Sequence, residues 1–460
     1  MIKKEHLTSP EKHRAFLASP KKHLLMITNH GIHQWQVVPG LPDTGGQNIF
    51  VNQFAEALTK FGFKITIANR GGYPHPITKK WQRGLHYKND ALRILYLEDD
   101  QQNFVRKEDM AAQIPLLAAS LKNFLNAEQS EIDLIISHYW DAAELGVLYK
   151  QISQKAAKHV WVPHSLGAVK KQNVSPARWS DLRIDERIET ERRLMPQLDG
   201  VAATSSTIRQ SLQDDYKYTG PDLFLPPCID TTRYHPRQIP DRDAIWNFLS
   251  QHSGLSPAEV RNCKIVAEIS RTDTTKRKNV LIEAFAKARQ HAPNSLLVVS
   301  IDDTQERLGR ELRQLIKDCN VETHTAVTGS VWDILPTLYA VTDVYCTPSV
   351  MEGFGMSAQE AAATGVPVIA SDLVPFAEEY LLGSTVKLLR HNETRPPLQQ
   401  GSGAIVVPAD DVDGFAHALT MLLSDDALRK KMGQNAYRAT IPYFTWDKMV
   451  ALFLEETGAV

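Results

Sequence analysis

Residues 349–371 read SVMEGFGMSAQEAAATGVPVIAS, a stretch that joins the end of a strand near Pro348, a glycine-rich turn and a helix. Glu352 and Glu360 lie eight positions apart, with Gly353 and Gly355 between them. Such a turn lets backbone N–H groups approach a ligand, and the N-terminus of the following helix favours oxygens or phosphate. The spacing predicts that Glu360 contacts the hydroxyls of a ribose and Glu352 a sugar. An acidic residue that only complements the helix dipole would show the same spacing.

Strand and helix patterns alternate on both sides of this stretch. Helices are predicted over residues 49–61, 279–290 and 306–319 and from about residue 357, where apolar residues recur at helical spacing. Short apolar runs typical of strands cover residues 23–31, 63–70, 93–98, 133–138, 159–165, 200–206, 264–270, 295–301, 343–349, 366–372 and 403–408. Strands that alternate with helices indicate an α/β fold with parallel sheets covered on both faces.

Two domains are expected because 460 residues exceed the size at which a single core usually keeps growing. A stretch rich in proline and polar residues, 223–243, interrupts the alternation and indicates a linker. In open parallel sheets, ligands bind beyond the carboxyl ends of the strands. The sequence therefore predicts two α/β domains that face each other across a deep cleft and hold a two-part substrate.

The composition excludes several classes of function. Lys and Arg number 52 against 53 Asp and Glu, so the net charge of −1 argues against a protein that coats nucleic acid. The chain contains no signal-peptide core and no run of the ~18 apolar residues that a membrane span needs, so we expect a cytoplasmic protein without a membrane partner. No metal-binding motif is present, and the cysteines form no C-x-x-C pair: Cys228, Cys263, Cys319 and Cys346.

Several motifs occur in an order that resembles one enzyme family. They are LPDTGGQ (41–47), FVRKED (104–109), SHYWDAAELG (137–146), PHSLGAVKK (163–171), PPCIDTTRYHP (226–236) and MEGFG (351–355). Together they resemble the sucrose-phosphate synthase and mannosylfructose-phosphate synthase branch of the retaining GT-B glycosyltransferases of family 4. The resemblance implies two Rossmann-like domains. Residues 1–228, completed by a terminal helix at 441–460, would bind the acceptor, and residues 229–440 would bind a nucleotide-sugar.

The resemblance also implies a donor site and a catalytic set. Gly45 and Gly46 match a loop whose backbone packs against the donor diphosphate and the acceptor, and His164 matches a histidine that lies against the transferred sugar. The remaining donor contacts implied are Gly353, Phe354, Gly355, Met356 and Glu360, and the remaining catalytic residues are Glu352, Arg271 and Lys278.

The choice between two lysines stays open at this point, because the spacing from Arg271 departs from the family pattern. Arg271 and one lysine are expected to neutralise the leaving nucleoside diphosphate. Lys278 directly precedes Asn279, as in the family, whereas Lys276 matches the distance from Arg271 better.

The resemblance also implies a phosphorylated acceptor, because basic residues in the first half of the chain match positions where the family carries them, and Lys and Arg are the usual phosphate ligands. The residues that the resemblance places at the acceptor are Gln47, Lys107, His138, Asp141, Lys170, Arg183 and Arg187. For the two arginines, a helix surface whose charges pair with Glu186, Glu189 and Glu191 is an equally good interpretation.

The function implied is the transfer of glucose or mannose from a UDP- or GDP-sugar to a sugar phosphate, with retention and with a donor phosphate oxygen as the proton acceptor. No tightly bound cofactor is expected, Mg²⁺ would at most stimulate, and a sugar-phosphate phosphatase is a candidate partner. A synthase of the mannosylglucosyl-3-phosphoglycerate type is an alternative. Two other classes stay open: an NDP-sugar 2-epimerase, which would not need the acceptor residues, and a non-catalytic nucleotide-sugar sensor, which could lose His164 and Gly46.

Overall fold

The structure is a computed structural model that describes residues 9–38, 41–154, 156–302, 305–329, 331–383 and 397–459. The chain forms two compact units, one of Met1–Pro226 with Trp446–Val460 and one of Pro227–Thr445. The sequence prediction divides the chain after residue 228 and again after residue 440. Each unit contains its own sheet and its own buried core.

Unit 1 is built on an eight-stranded sheet with the strand order β3-β4-β2-β1-β5-β6-β7-β8. All neighbouring strands are parallel except β3 and β4, which are antiparallel. The central strands are buried along their whole length, which explains their continuous apolar sequences. The strands are β1 His23–Ile27, β2 Lys64–Arg70, β3 Gly84–Asn89, β4 Leu92–Leu97, β5 Leu134–His138, β6 Lys158–Val162, β7 Gly200–Ala203 and β8 Asp222–Phe224.

The helices of unit 1 include the last helix of the chain. Its Trp446 ring stacks on the Phe54 ring with the ring centroids 5.6 Å apart, and its Phe453 ring contacts the Phe54 ring edge-to-face. The helices are α1 Pro10–Ala18, α2 Gly46–Lys60, α3 Ile114–Ala127, α4 Trp140–Ser153, α5 Gly167–Asn173, α6 Ile184–Leu194, α7 Ser206–Asp214 and, at the end of the chain, α16 Trp446–Thr457.

Unit 2 is built on a seven-stranded sheet with the order β11-β10-β9-β12-β13-β15-β14, parallel except for the short β14. Its strands are β9 Lys264–Glu268, β10 Ser295–Ser300, β11 Thr325–Thr328, β12 Val344–Thr347, β13 Val368–Ser371, β14 Gln399–Gln400 and β15 Ala404–Val407. Its helices are α8 Ala244–His252, α9 Pro257–Asn262, α10 Lys278–Arg289, α11 Glu306–Asp318, α12 Leu335–Val341, α13 Met356–Ala363, α14 Val412–Ser424 and α15 Asp426–Thr440, with a π-helical turn at Ala377–Leu382.

The strands that the sequence patterns predict are present, and the four that they miss have a common position. The missed strands β3, β8, β11 and β14 lie at the edges of the two sheets. An edge strand has a neighbour on one side only and is short or partly polar, so it lacks a clear apolar run. The helix α1 was also missed, within the polar segment 1–22, whose first eight residues lie outside the described part.

Each sheet contains a point at which the chain reverses its direction of strand addition. In unit 1 this point lies between β1 and β5, and in unit 2 it lies between β9 and β12. Neighbouring loops leave the sheet on opposite faces there, which opens a crevice at the carboxyl ends of the strands. We therefore expect a ligand site among the residues that follow β1, β5, β9 and β12.

Candidate functional site

The turn after β12 requires glycine at one position. Gly355 has a φ of +106°, and a Cβ at this position would lie 2.7 Å from Cγ1 of Val374. Phe354, just before it, is buried, and its ring lies 5.4 Å from Phe376 and 5.8 Å from Phe444 between centroids. The turn leads directly into α13, whose first residue is Met356, and Gly353 is exposed beside it.

Two loops of unit 2 are joined at this switch point. Nζ of Lys276, in the loop after β9, lies 2.5 Å from Oε1 of Glu352, in the turn after β12. The main-chain N–H of Val350 also donates to the carbonyl oxygen of Thr275 at 2.8 Å. Arg271 lies in the same loop as Lys276 and is exposed. The predicted residues Lys276 and Glu352 thus meet, and Arg271 lies earlier in the loop that carries Lys276.

Lys278 lies in the interior of unit 2. Its ammonium donates to Oε2 of Glu268 at 2.6 Å, to the carbonyl of Ser270 at 3.1 Å and to Oγ of Ser300 at 3.2 Å. Both Lys278 and Glu268 are buried, so the three contacts enclose the charge. Of the two lysines that the sequence left open, Lys276 is therefore the one whose ammonium reaches the turn, and Lys278 fixes the end of β9.

Glu360, the fifth residue of α13, interacts with the segment that enters unit 2. Its carboxyl group hydrogen-bonds with the phenol of Tyr234, and Arg233 lies close enough to act on its charge. Burial raises the pKa of Glu360 to about 7, against the opposing effects of Tyr234 and Arg233. This carboxyl group therefore changes its charge near neutral pH.

The glycine loop of unit 1 begins α2, and glycine is not required there by the chain itself. Gly45 has a φ of 172°, which is extended backbone that any residue adopts, and no atom lies within 4 Å of the position of a Cβ. Its N–H donates to Oδ1 of Asn48 at 2.9 Å, and Gly46 is exposed. Gln47 donates from Nε2 to Oγ1 of Thr28, directly after β1, at 3.2 Å.

Two predicted histidines share a hydrogen bond at the unit 1 switch point. Nδ1 of His138, at the end of β5, lies 2.9 Å from Nε2 of His164, which follows β6 and packs edge-to-face on Phe50. Burial lowers the pKa of His164 to about 3, so its ring is neutral. Asp141 is fully buried and contacts Nδ1 of His30 at 3.0 Å, so it holds a neighbouring loop.

Four predicted cations line one pocket in unit 1, which we call the basic pocket. Its lining comprises Lys107, Glu108, Ala111, Tyr139, Trp140, Lys170, Leu182, Arg183, Glu186, Arg187 and Thr190. Within it, Nζ of Lys170 lies 3.9 Å from Oε1 of Glu108, and Nη2 of Arg183 lies 2.8 Å from Oε2 of Glu186. The folded chain thus brings Lys107 and Lys170, 63 positions apart in the sequence, together with Arg183 and Arg187 at the start of one helix.

The four cations of the basic pocket differ in how much of their charge is available. Arg187 is 5% exposed and donates to Glu191 at 2.8 Å, to the phenol of Tyr139 at 2.5 Å and to the carbonyl of Ser165 at 2.5 Å. Arg187 therefore connects the three segments that form this wall of the basic pocket. Burial, followed by the charges of the neighbouring Arg187 and Lys107, lowers the pKa of Lys170 to about 8. Lys170 is hence protonated at neutral pH and loses its charge just above it.

Tyr139 is a pocket residue that the sequence interpretation missed. Its phenol accepts from Arg187, and its backbone has a φ of +78°. The available signal was its position directly after β5, where a residue reaches the edge of the sheet.

Comparisons with known proteins agree with the described geometry. Residues 257–439 match the family model "Glycosyl transferases group 1", and residues 44–233 match "Glycosyltransferase Family 4". The chain belongs to the family 4 glycosyltransferases. It is therefore an enzyme that transfers a hexosyl group, and the predicted GT-B class, with two Rossmann-like sheets, is confirmed.

The relatives of this glycosyltransferase carry several names. The present chain is 25% identical over 363 residues to mannosylfructose-phosphate synthase of Agrobacterium fabrum, with 76% of each chain covered. It is 27% identical to D-inositol 3-phosphate glycosyltransferase of Salinispora arenicola over 94% of this chain and 90% of the relative. Among solved structures, sucrose-phosphate synthase of Thermosynechococcus elongatus superposes with a TM-score of 0.76 at 22% identity, over 96% of this chain and 100% of the other.

The described residues contain neither a metal-binding cluster nor a membrane-spanning helix. No group of three or more His, Cys, Asp or Glu side chains in the described ranges could hold a metal ion. No helix in that part of the glycosyltransferase is long and apolar enough to cross a membrane.

Proposed function

We propose that this glycosyltransferase acts with retention and transfers glucose or mannose from a UDP- or GDP-sugar to a phosphorylated sugar. The product would be a disaccharide phosphate or a related precursor of a compatible solute. The observation that carries the proposal is the basic pocket, because Lys107, Lys170 and Arg183 converge there. Three relatives or neighbours are named for products or acceptors that contain a phosphate, which supports the same chemistry.

Unit 1 would hold the acceptor by its phosphate. The charges of Lys107, Lys170 and Arg183 are partly exposed in the basic pocket, whereas Arg187 is saturated by its own partners. We therefore assign direct phosphate contacts to the first three and a supporting role to Arg187. Gln47, His138 and Asp141 would shape the sugar end of this site, Asp141 by holding His30 and not by contact.

Unit 2 would hold the nucleotide-sugar at the turn after β12. The N–H groups of Gly353 and Gly355 and the N-terminus of α13 favour the diphosphate, with Arg271 and Lys276 as its cations. Glu360 would bind the ribose hydroxyls in its ionised form. The ion pair between Lys276 and Glu352 keeps both side chains at the turn, so that Lys276 can meet a phosphate and Glu352 the hexose.

The proposed reaction needs no side-chain base. The acceptor hydroxyl oxygen bonds to the anomeric carbon on the face from which the diphosphate leaves, the bond from that carbon to the phosphate oxygen breaks, and the leaving oxygen accepts the hydroxyl proton. The cations Arg271 and Lys276 would neutralise the charge that develops on the diphosphate. His164 is neutral and suits a hydrogen bond to the hexose, because burial keeps its pKa at about 3.

The proposed setting is the cytoplasm, where a sugar-phosphate phosphatase would act on the product. None of the four cysteines forms a disulfide, which is usual in a reducing compartment. No tightly bound cofactor is proposed, and Mg²⁺ is expected to be at most stimulatory.

A matrix of donors and acceptors tests the proposal. UDP-glucose, GDP-glucose and GDP-mannose are each combined with fructose 6-phosphate, D-inositol 3-phosphate, glucosyl-3-phosphoglycerate and fructose, with and without EDTA. We expect release of nucleoside diphosphate and a product of the summed mass with one phosphorylated acceptor, and at least a tenfold lower kcat/KM for its unphosphorylated form. NMR of the product gives the anomeric configuration. Faster transfer to free fructose than to every phosphorylated acceptor would refute the assignment of the basic pocket, and an inverted product would refute retention.

A further inference from the structure

Asp43 is a carboxylate that the proposed function leaves unused, and it contacts Lys107 twice. Oδ1 of Asp43 forms a close ion pair with the ammonium of Lys107, and Oδ2 accepts the main-chain N–H of the same residue at 3.2 Å. The side chain of Asp43 is 13% exposed. Both carboxylate oxygens thus hold one residue of the basic pocket.

Asp43 is also fixed to the glycine loop, because it lies two residues before Gly45. Its backbone has a φ of +50°, a left-handed conformation that Asp tolerates better than most residues. Its carbonyl oxygen packs on Gly31 so closely that a Cβ there would lie 2.4 Å away. The next residue, Thr44, accepts the N–H of Ile32 at 2.9 Å. Asp43 therefore connects the start of α2 with the basic pocket.

This connection has an electrostatic consequence for any anion in the pocket. The ammonium of Lys107 already faces Asp43, and Oε1 of Glu108 lies 3.6 Å from it. A phosphate that binds Lys107 must share it with a carboxylate, so Asp43 lowers the affinity of the pocket for phosphate. An arrangement that only served to bind phosphate tightly would not place a carboxylate here.

We propose that Asp43 is a positioning residue. It holds the Gly45–Gly46 loop in the position that the acceptor requires, and it lowers the affinity of the basic pocket for phosphate. The inference rests on the proposed function, since it takes the ligand of the basic pocket to be a phosphate group. Asp43 acts through Lys107 and through the loop and does not touch the reacting atoms.

The variant Asp43→Asn tests the inference, because Asn tolerates the same backbone conformation and keeps an acceptor for the N–H of Lys107. The probe for the pocket is inorganic phosphate, measured by calorimetry at pH 7. We expect the Kd for phosphate to fall about threefold to tenfold with the lost negative charge, while kcat with the best acceptor falls at least about tenfold as the loop loses its register.

Glu108→Gln is the matched control, since it removes a carboxylate next to the same ammonium without touching the loop. It should tighten phosphate binding to a similar degree, with a loss of kcat at least about fivefold smaller than that of Asp43→Asn. Asp43→Glu, which restores the charge, should return the Kd to that of the wild type.

Weaker phosphate binding by Asp43→Asn would overturn the inference, because a merely structural carboxylate would lower affinity and turnover together. Equal losses of kcat in Asp43→Asn and Glu108→Gln would overturn it as well. Failure of the proposed function is distinguishable from both results. It would show in the wild-type protein, as absence of phosphate binding and of turnover with every phosphorylated acceptor.

Discussion

Replacing Gly45 with Ala tests why this loop contains glycine. The backbone at Gly45 is extended, and the position of a Cβ is free of neighbours. The folded chain can therefore accept a methyl group at residue 45. If glycine is present because a ligand approaches the backbone there, the cost of the methyl group should appear in catalysis and not in stability.

The expected free energies follow from the place of Gly45 before α2. At an N-cap, Ala is about 0.5–1 kcal/mol worse than Gly, and the reduced freedom of the unfolded chain returns about 0.4–1 kcal/mol. The free energy of unfolding should hence change by less than about 0.5 kcal/mol. A methyl group that overlaps a bound ligand costs about 1–3 kcal/mol, which lowers kcat/KM about 5- to 150-fold.

Urea unfolding and steady-state kinetics measure the two quantities on the same preparation. Gly355→Ala is the contrasting variant, because its φ of +106° and the Cγ1 atom of Val374 at 2.7 Å leave no room for a methyl group. We expect it to lose about 2–6 kcal/mol of stability. A Gly45→Ala enzyme that is as stable as the wild type and keeps kcat/KM within twofold would refute the reasoning that a ligand packs on this loop.

Three further predictions concern charged side chains. Lys278→Met should cost about 3–5 kcal/mol of stability because it leaves the buried Glu268 unpaired, whereas Lys276→Met should leave stability within about 1 kcal/mol and lower kcat/KM for the donor at least about tenfold. Lys170 has its pKa lowered to about 8 by burial and neighbouring cations, so kcat/KM for the acceptor should fall as pH rises through 8, and Lys170→Arg should remove this dependence. Glu360 has its pKa raised to about 7 by burial, so the affinity for the nucleotide-sugar donor, measured without acceptor, should fall as pH drops from 8 to 6, and Glu360→Gln should abolish the dependence.

Each of these predictions has an outcome that contradicts it. Equal losses of stability in the two lysine variants would mean that both ammonium groups are structural. An acceptor kcat/KM that does not change between pH 7 and 9, measured with a constant donor concentration, would remove Lys170 from the phosphate contacts. Donor affinity that is unchanged by Glu360→Gln at pH 8 would remove the carboxylate from the ribose contact.

The sequence by itself determined the class of fold and the order of most elements. Buried parallel strands such as β1 and β12 are continuous apolar runs because both of their faces are covered, and that signal is local. The turn at Gly353–Gly355 was also predictable from the sequence, since a strand, a glycine turn and a helix follow one another within one short stretch. Edge strands such as β3 were not predicted from the sequence, because partial exposure removes their apolar pattern.

Which charged groups meet was decided only by the tertiary structure. Lys276 and Lys278 are two residues apart and chemically identical, yet one reaches Glu352 and the other is enclosed with Glu268. A left-handed residue between them, Arg277 at a φ of +50°, ends one turn and starts α10, so the two side chains leave in different directions. Spacing along the chain does not encode that change of direction.

The basic pocket illustrates the same limit at longer range. The sequence resemblance predicted its four cations, but it could not distinguish Arg187 from Lys170. The guanidinium of Arg187 is saturated by three partners, whereas the pKa of Lys170 is lowered to about 8, close to neutral pH. The resemblance also gave no sign that Asp43 holds Lys107, 64 positions further along the chain. Burial and pairing set the charge state of each group, and both arise only when strands from distant parts of the chain bring their carboxyl ends to one edge of the sheet.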